Sequence, residues 1–531
     1  MARYAYERLS AQDATFLYAE GPNQPMHVGA VAIFEAEPLC TDTGSIDIDL
    51  YRRAIEGVLH WIPRYRQKLA YTPVEGWPIW VDDRRFDLGY HIRHIALPKP
   101  GSQAQLKELT ARIHARALDR RHPLWEIWVI EGVENGSQVA ILNKIHHCMI
   151  DGAAGADLSQ ILMSASPRLE IPEPVPFMPR PEPTTPELLA DAVRVGLKRP
   201  FSAIAGLAGS EPPVAETPEG PGWGERLQSL GRMLEYALRP ASETPLNGDL
   251  GPHRRLDWLT MPMSDLADVS RELGCTMNDV VLTTVCGAVR RYLFRRRVDY
   301  RNLDFRVAAP VSTREKGHDR RQGNHVSTWI VPLPLQIDEP LQQLAAIQET
   351  TRALKKERAA LAVDTLMLAA EWLPTPVLER SVALAQGPAN MIVTNVPGPQ
   401  FPLYAVGARM YGMYPLVPLL PGGGLGVALF SYEGKLCWGF NADHELVPDV
   451  ARFVDDVRVS FEALRSAAVT EFMARRTGTE APSEPADSEA GTRAKPTRAR
   501  KRQGSKRKRR TRESPAPAYD DLAASEPAVA H

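Results

Sequence analysis

The sequence predicts mixed α/β or α+β layers arranged as two domains. Segments with strand-like alternation and segments with helical periodicity follow one another along most of the chain, which is typical of layered architectures. With 531 residues, the chain is too long for one ordinary domain and suits two large ones. A proline-rich linker over residues 167–222 separates the halves. We therefore predict an N-terminal domain over 1–166, a C-terminal domain over 223–476 and a tail over 477–531.

The elements of the first half are predicted from the spacing of its apolar residues. Strands are expected at 27–36, 77–81, 125–133 and 138–147, and helices near 50–62, at 103–118 and at 155–164. The last two strands flank Glu134-Asn135-Gly136-Ser137, whose composition is typical of a hairpin turn. The second strand of this hairpin ends at two adjacent histidines.

The second half begins near Arg254 and has the same mixture of elements. Helices are expected at 264–273, 277–294, 341–362 and 449–474, and strands at 304–308, 325–332, 391–395, 425–432 and 435–441. Residues 188–208 and 225–238 have helical spacing, which fits packing on the domains or contact with lipid. The tail is rich in Ala, Pro, Ser, Glu and Arg and is predicted to be disordered.

Positive charge is concentrated in the tail. Residues 493–512 hold twelve Lys or Arg and no acid, and subtracting these charges from the formal net charge of −1 leaves −13 on the remainder. A body with that charge lacks the basic face of a nucleic-acid-binding protein, so we expect no nucleic-acid partner. The run Lys506–Arg510 also fits a nuclear-localisation patch or a plain solvated tail, but binding of anionic lipid head groups is favoured.

Cysteine usage and the N-terminus indicate a cytoplasmic protein. The five cysteines are widely spaced without a Cys-x-x-Cys pair, which argues against a disulfide framework or a zinc site. Cys148 lies beside the two histidines and allows a catalytic interpretation. The N-terminus lacks the apolar run of a signal peptide. Residues 411–432 are uncharged, but three prolines and a run of three glycines exclude a regular transmembrane helix, so any membrane contact is expected to be peripheral.

Chemistry is expected where the sequence reads His146-His147-x-x-x-Asp151-Gly152. Neighbouring side chains in a strand point to opposite faces, so the two imidazoles cannot share one environment. An ordinary imidazole, with a pKa of about 6.5, is suited to general-base work near neutral pH. The residues alone also allow ordinary hydrogen bonds at a strand end. A metal site lacks support, because no His/Cys cluster elsewhere supplies further ligands.

The sequence lacks the motifs of three common enzyme classes: serine hydrolases, P-loop enzymes and dinucleotide-binding enzymes. The chain has no Gly-x-Ser-x-Gly nucleophile elbow, no Gly-x-x-x-x-Gly-Lys-Ser/Thr phosphate loop and no Gly-x-Gly-x-x-Gly dinucleotide motif. A histidine base that acts directly on a bound hydroxyl needs no protein nucleophile. Direct transfer to a hydroxyl therefore remains compatible with the sequence.

A family resemblance becomes visible from several motifs taken together. The histidine motif is similar to the active-site motif of acyltransferases dependent on coenzyme A and of peptide-synthetase condensation domains. The chain further resembles the bacterial wax ester synthase/diacylglycerol acyltransferase family over roughly residues 7–465. The segments that carry this resemblance are Leu9-Ser10-x-x-Asp13-x-x-Phe16-Leu17, Pro25-Met26-His27-Val28-Gly29, Pro123-Leu124-Trp125-Glu126, Asn278-Asp279-Val280-Val281-Leu282, Asn395-Val396-Pro397-Gly398-Pro399 and Tyr432-Glu433-Gly434-Lys435-Leu436.

The resemblance implies two domains of the chloramphenicol-acetyltransferase type, with mixed sheets flanked by helices and a substrate tunnel at their interface. It implies that His147 is the general base and that His146 supports the strand end. Asp151 would be mainly structural, held by an arginine that one sequence does not identify. Asn278 would donate a hydrogen bond to the reacting carbonyl oxygen, or alternatively cap a helix.

Three further residues are implied at the substrate site. Gly152 provides the turn beside the histidines, and Asp279 accompanies Asn278. Trp125 is expected either to wall the acyl channel or to pack in the core.

The activity implied by the resemblance is transfer of a long-chain fatty acyl group from acyl-CoA to diacylglycerol, long-chain alcohols or both, without a separate cofactor. The products are triacylglycerol and wax ester, and the protein is expected at a membrane or lipid-body surface. Two alternatives stay open: a condensation-type acyltransferase that uses carrier-bound chains, and a non-catalytic lipid-body surface protein. The oligomeric state stays open as well.

Overall fold

The computed structural model describes residues 6–149, 161–169, 171–191, 240–312, 326–356 and 389–477. All of them belong to one compact unit. Residues 478–531 of the predicted tail, residues 155–160 of the helix predicted over 155–164, the segment over 225–238 and most of the segment over 188–208 lie outside the described residues. The mixed α/β class predicted from the sequence is confirmed.

The first half alternates short strands with helices. Its strands are β1 (Tyr6–Arg8), β2 (His27–Glu35), β3 (Gln67–Tyr71), β4 (Pro78–Asp82), β5 (Ile92–Ala96), β6 (Trp125–Val133) and β7 (Gln138–His146). Its helices are α1 (Ala11–Ala19), α2 (Ile48–Val58), α3 (Leu88–His91) and α4 (Gln103–His114). The hairpin of β6 and β7 agrees with the prediction to within a residue. α1, which sequence periodicity missed, begins at the cap residue Ser10, whose hydroxyl accepts from the Asp13 amide.

The second half has longer helices. Its strands are β8 (Arg254–Pro262), β9 (Arg306–Ser312), β10 (Val326–Pro332), β11 (Met391–Val396), β12 (Tyr404–Ala405), β13 (Ala408–Leu416), β14 (Leu425–Tyr432) and β15 (Lys435–Asp443). Its helices are α5 (Met263–Glu272), α6 (Met277–Arg295), α7 (Pro340–Lys356) and α8 (Val450–Thr477). All eight residues of β14 are buried, as expected for a central strand covered on both faces.

Two six-stranded sheets dominate the fold, and one of them draws strands from both halves of the chain. The orders are β12-β13-β2-β7-β6-β5 and β10-β9-β11-β14-β15-β8, beside a small β1-β4-β3 sheet. In the first of these sheets, β13 pairs antiparallel with β2 and places Leu416 opposite Gly29. The second half thus completes the sheet that carries the histidine motif, so the predicted boundary does not separate the two sheets.

The larger core lies in the second half around α6, where side chains such as Tyr292, Trp438 and Phe440 are fully buried. The first sheet is covered on both faces, with Trp125 in one apolar layer and Leu142 in the other. Full burial of one large apolar side chain contributes about 1.5–3 kcal/mol. These layers hold β7 rigidly and so fix where its C-terminal histidines lie.

The described part of the proline-rich linker packs on the first half, although the sequence predicts a connection without packing. The Arg180 guanidinium lies 2.8 Å and 3.0 Å from the two carboxylate oxygens of Asp82. The phenolic oxygen of Tyr6 lies 2.6 Å from the Asp191 carboxylate. Leu188 is buried against β4. The described linker thus has no regular structure over 171–184, forms a short helix over 185–191 and is held against the first half by these contacts.

Among the described residues, no helix is both long and apolar enough to cross a bilayer.

Candidate active site

The site is built at the C-terminal end of β7, between β2 and β6. His27 of β2 stands opposite His146, and the strand continues into a 3-10 turn over His147–Met149. The amide of His146 donates to the Leu124 carbonyl at 2.9 Å, and that of His147 donates to the Met26 carbonyl at 2.8 Å. His146 is buried and His147 is partly exposed. The prediction that the two imidazoles occupy different environments is confirmed.

Both ring nitrogens of His146 are committed to the protein. The Cys148 amide donates to Nδ1 at 3.2 Å, and Nε2 lies 3.0 Å from Oε2 of Glu20. Because Nδ1 accepts a hydrogen bond, the ring proton belongs on Nε2, which donates it to the carboxylate. His146 is therefore arranged as a structural donor, and it has no free nitrogen with which to take a proton from a substrate.

Glu20 is the centre of a buried polar network that the sequence did not reveal. Its carboxylate also accepts from the Met26 amide at 3.1 Å and from the Arg120 guanidinium at 3.1 Å. Burial by itself raises the pKa of Glu20, but the hydrogen bond and charge of His146, the Met26 amide and Arg120 together hold that pKa below its usual value. The carboxylate is thus ionised at neutral pH.

His147 is held by an aromatic ring. The rings of Phe16 and His147 lie face to face, with centroids 3.9 Å apart and planes inclined by 13°. Phe16 belongs to α1, and Glu20 follows it by four residues at the end of the same helix. Residues four apart lie on one side of a helix. One short helix therefore contacts both histidines, His146 through a carboxylate and His147 through a ring.

A layer of buried basic side chains lies on the His146 face of the sheet. Lys144 Nζ donates to the carbonyls of Ile113 and Arg116 at 3.0 Å and 2.7 Å, and burial lowers its pKa to about 8. Burial also lowers the pKa of His114 to about 3 and holds that of His27 well below its usual value. These two imidazoles are neutral at pH 7, so Lys144 carries the positive charge of this layer.

Cys148 is not arranged as a nucleophile. Its side chain is buried in an apolar cluster with Leu17 and Leu124. Burial raises the pKa of its thiol well above the usual value, so the reactive thiolate is disfavoured. The catalytic interpretation of Cys148 is therefore wrong.

Comparison with known proteins identifies the family. Residues 9–281 match the wax ester synthase/diacylglycerol acyltransferase catalytic domain, and residues 322–465 match the C-terminal domain of the same enzymes. The chain belongs to this family.

Several relatives agree with the assignment. A putative diacylglycerol O-acyltransferase of Mycobacterium tuberculosis strain H37Rv is 34% identical over 463 residues, which span 84% of this chain and 88% of the relative. The probable diacylglycerol O-acyltransferase tgs1 of the same strain is 34% identical over 462 residues, spanning 84% of this chain and 94% of the relative. The protein is accordingly an acyltransferase of the diacylglycerol and wax ester type.

Solved structures support the fold. The wax ester synthase/diacylglycerol acyltransferase from Marinobacter aquaeolei VT8 superposes with a TM-score of 0.60 at 24% identity, covering 87% of this chain and 100% of that one. A starter condensation domain of rhizomide synthetase superposes with a TM-score of 0.53 at 14% identity, covering 87% and 94%. The predicted chloramphenicol-acetyltransferase-type architecture is confirmed.

In this wax ester synthase/diacylglycerol acyltransferase family member, Trp125 packs in the core. Its side chain is 1% exposed, its indole nitrogen donates to the Tyr65 carbonyl at 2.8 Å, and its ring stacks between Tyr65 and His91. Of the two predicted roles, packing fits these contacts and a channel wall does not.

The Asn278-Asp279 motif begins α6, but neither residue is the helix cap. Thr276 is the cap: its hydroxyl accepts from the Asp279 amide at 3.2 Å, and Asp279 Oδ2 accepts from the Thr276 amide at 2.9 Å. Asp279 Oδ1 accepts from the Thr351 hydroxyl of α7 at 2.9 Å. The suggested capping role of Asn278 is therefore wrong. Asp279, for which the sequence predicts a substrate contact, instead links α6 to α7.

Of the remaining predicted site residues, the structure describes Asn278 but not Asp151 or Gly152. Asn278 lies half-buried in the first turn of α6. Asp151 and Gly152 lie outside the described residues, and so the predicted contact between Asp151 and an arginine does too. The roles given to these three residues stay predictions. Glu20, Arg120 and Phe16 were not singled out for the site, although Phe16 lies in a motif shared with the family.

Proposed function

We propose that the protein transfers a long-chain fatty acyl group from acyl-CoA to diacylglycerol or a long-chain alcohol, with His147 as the general base. The observation that carries the proposal is that the two histidines differ in burial and in hydrogen bonding. Both nitrogens of His146 are bonded within a buried network, while its neighbour is partly exposed at the same strand end. His147 is thus the partly exposed imidazole of the motif, and we assign the acid–base work to it.

The proposed reaction uses one base and forms no covalent bond to the protein. His147 takes the proton of the acceptor hydroxyl as its oxygen attacks the thioester carbonyl of acyl-CoA. The tetrahedral adduct collapses with cleavage of the carbon–sulfur bond. The imidazolium returns its proton to the departing thiolate, so the products are an ester and free CoA. Acyl-CoA is a substrate, and no separate cofactor is proposed.

Asn278 is proposed to stabilise the oxyanion of that adduct. It lies in the first turn of the 19-residue helix α6, where the helix dipole favours negative charge. Because Thr276 and Asp279 satisfy the cap between them, the Asn278 amide is not required there. Loss of one oxyanion donor typically costs about 3 kcal/mol of transition-state stabilisation.

The protein is proposed to act in the cytoplasm at a peripheral membrane or lipid-body surface. Both acceptors are lipids, and the basic segment over 493–512 is suited to anionic head groups. This segment lies outside the described residues, so sequence alone supports the assignment. Deleting residues 477–531 should weaken binding to vesicles containing anionic lipid, and unchanged, salt-insensitive binding would refute it.

The substrate assignment is tested by product analysis. The enzyme is incubated with palmitoyl-CoA and either diacylglycerol or hexadecanol, and thiol release and ester formation are measured together. We expect one CoA per ester and no early burst of thiol without acceptor, because no acyl-enzyme forms. An acceptor-independent stoichiometric burst would refute direct transfer. Absence of turnover with both acceptors would contradict the substrates and favour a lipid-body surface protein.

A further inference from the structure

The ring contact between Phe16 and His147 has a geometry that bears on catalysis. The centroid separation is 3.9 Å and the interplanar angle 13°. We propose that Phe16 is a positioning residue that fixes the plane of the His147 imidazole and stabilises the imidazolium formed during acyl transfer. This inference rests on the proposed role of His147 as base.

The helix that carries Phe16 is anchored at both ends. Ser10 caps α1, and Ala11, Ala14 and Leu17 are buried on the helix face that packs on the fold. The helix is held at its other end because Glu20 binds both His146 and Arg120. A ring carried by a helix anchored at both ends holds a neighbouring imidazole more rigidly than a ring on a loop.

The contact favours the state in which His147 is charged. An aromatic face carries a negative quadrupole, and it attracts a cation within about 6 Å of its centroid. The neutral imidazole gains only stacking, whereas the imidazolium gains a cation–π interaction as well. An interaction that is stronger after proton transfer than before it raises kcat more than it lowers KM.

Other charges near this turn stay unchanged when Phe16 is replaced. Glu20 and Arg120 lie on the His146 side, and Asp13 of α1 and Arg64 also act electrostatically on the adjacent Cys148. Substitution of Phe16 by leucine removes the quadrupole and leaves all four groups in the chain. A change in the pH profile of this variant therefore reports loss of the ring.

The chain offers a matched control. Phe86 stacks on His91 with centroids 5.2 Å apart and planes inclined by 18°, and neither residue belongs to the histidine motif. The substitution Phe86→Leu removes a stacked Phe–His pair that lies away from the histidine motif. Phe16→Tyr keeps an aromatic face over His147. Thermal melts of all variants confirm folding before kinetics are compared.

Steady-state kinetics with palmitoyl-CoA and hexadecanol over pH 5–9 test the inference. For Phe16→Leu we expect kcat to fall roughly threefold to tenfold with KM nearly unchanged, and the acid limb of kcat to move about half a pH unit lower, because the imidazolium is less stable. Phe16→Tyr should stay within about twofold of wild type, and Phe86→Leu should keep the wild-type acid limb.

Two results would overturn the inference. One is a wild-type kcat and pH profile for Phe16→Leu, and the other is an equal loss without any shift of the acid limb for Phe16→Leu and Phe86→Leu. An NMR titration of the His147 ring gives an activity-independent readout, with a lower pKa expected in Phe16→Leu. If His147→Ala keeps full turnover, the proposed base is wrong; if only the Phe16 effects are missing, the positioning role alone fails.

Discussion

The Nε2 atom of His146 lies 3.0 Å from Oε2 of Glu20, and this contact joins the histidine motif to a helix 126 residues earlier in the chain. Since Cys148 occupies the other ring nitrogen, the bond fixes the tautomer of His146. The bond therefore commits His146 to the protein, and the base role proposed above belongs to His147.

Replacing Glu20 by alanine should lower the free energy of unfolding by about 3 kcal/mol, because it leaves His146, the Met26 amide and Arg120 without their buried partner. Glu20→Gln keeps acceptor capacity and should cost less. Urea denaturation measures both. Glu108→Ala is the control, since its exposed pair with Arg112 is worth about 0.5 kcal/mol or less. Equal losses for Glu20→Ala and Glu108→Ala would contradict a buried network.

The pH dependence of stability should carry the signature of His114. Its pKa is lowered by burial to about 3, so in the folded protein it stays neutral while the unfolded chain protonates below pH 6.5. The unfolded state then binds more protons, and stability falls as pH drops from 6.5 toward 3, by up to about 1.4 kcal/mol per pH unit for this one group.

His114→Gln should flatten that slope whatever it does to absolute stability. Unfolding free energies at pH 7, 6, 5 and 4 measure the slope for the variant and the wild type. His253→Gln, at an exposed histidine, is the control, because burial does not act on it and the wild-type slope should be kept. An unchanged slope in His114→Gln would show that its imidazole titrates normally in the fold.

Asp279 should behave as a structural residue. Asp279→Ala removes the capping pair with Thr276 and the bond to Thr351, so we expect a loss of about 2 kcal/mol in stability. KM for acyl-CoA should change little in the folded variant. A large rise in KM with wild-type stability would instead restore the substrate contact predicted from the sequence.

The packed part of the linker should resist proteolysis. Arg180→Ala removes a bidentate contact with Asp82. Burial raises the pKa of Asp82, but its hydrogen bonds to Arg180 and Gln67 and the charge of Arg180 lower that pKa to about 2. We expect faster cleavage within residues 171–191 in limited digests followed by mass spectrometry. Arg168→Ala serves as a control in an exposed turn just before this segment. Equal cleavage rates in both variants would show that the Asp82 contact does not hold the segment.

Sequence patterns predicted the parts of the site that depend on local periodicity. The strand ending at His146, the hairpin before it and the unequal environments of the two histidines follow from alternation and turn composition. Glu20 was missed because its partner lies 126 residues away and a lone glutamate after a helix gives no local signal.

The other differences have separate causes. Strand β13 joins β2 across nearly 380 residues, and nothing in either segment specifies that register. Asn278 looked like a cap because it precedes an apolar run, but Thr276 starts the helix two residues earlier. Trp125 fits both a core and a channel wall by composition, and only its contacts with Tyr65 and His91 decide between them.

The role of His147 is tested most directly by the turnover of His147→Ala, measured as ester formed from palmitoyl-CoA and hexadecanol beside wild type and His94→Ala. We expect His147→Ala to lose at least about 100-fold in kcat, the usual contribution of a general base, while His94→Ala stays close to wild type. Retained turnover in a folded His147→Ala enzyme would contradict base catalysis by this residue.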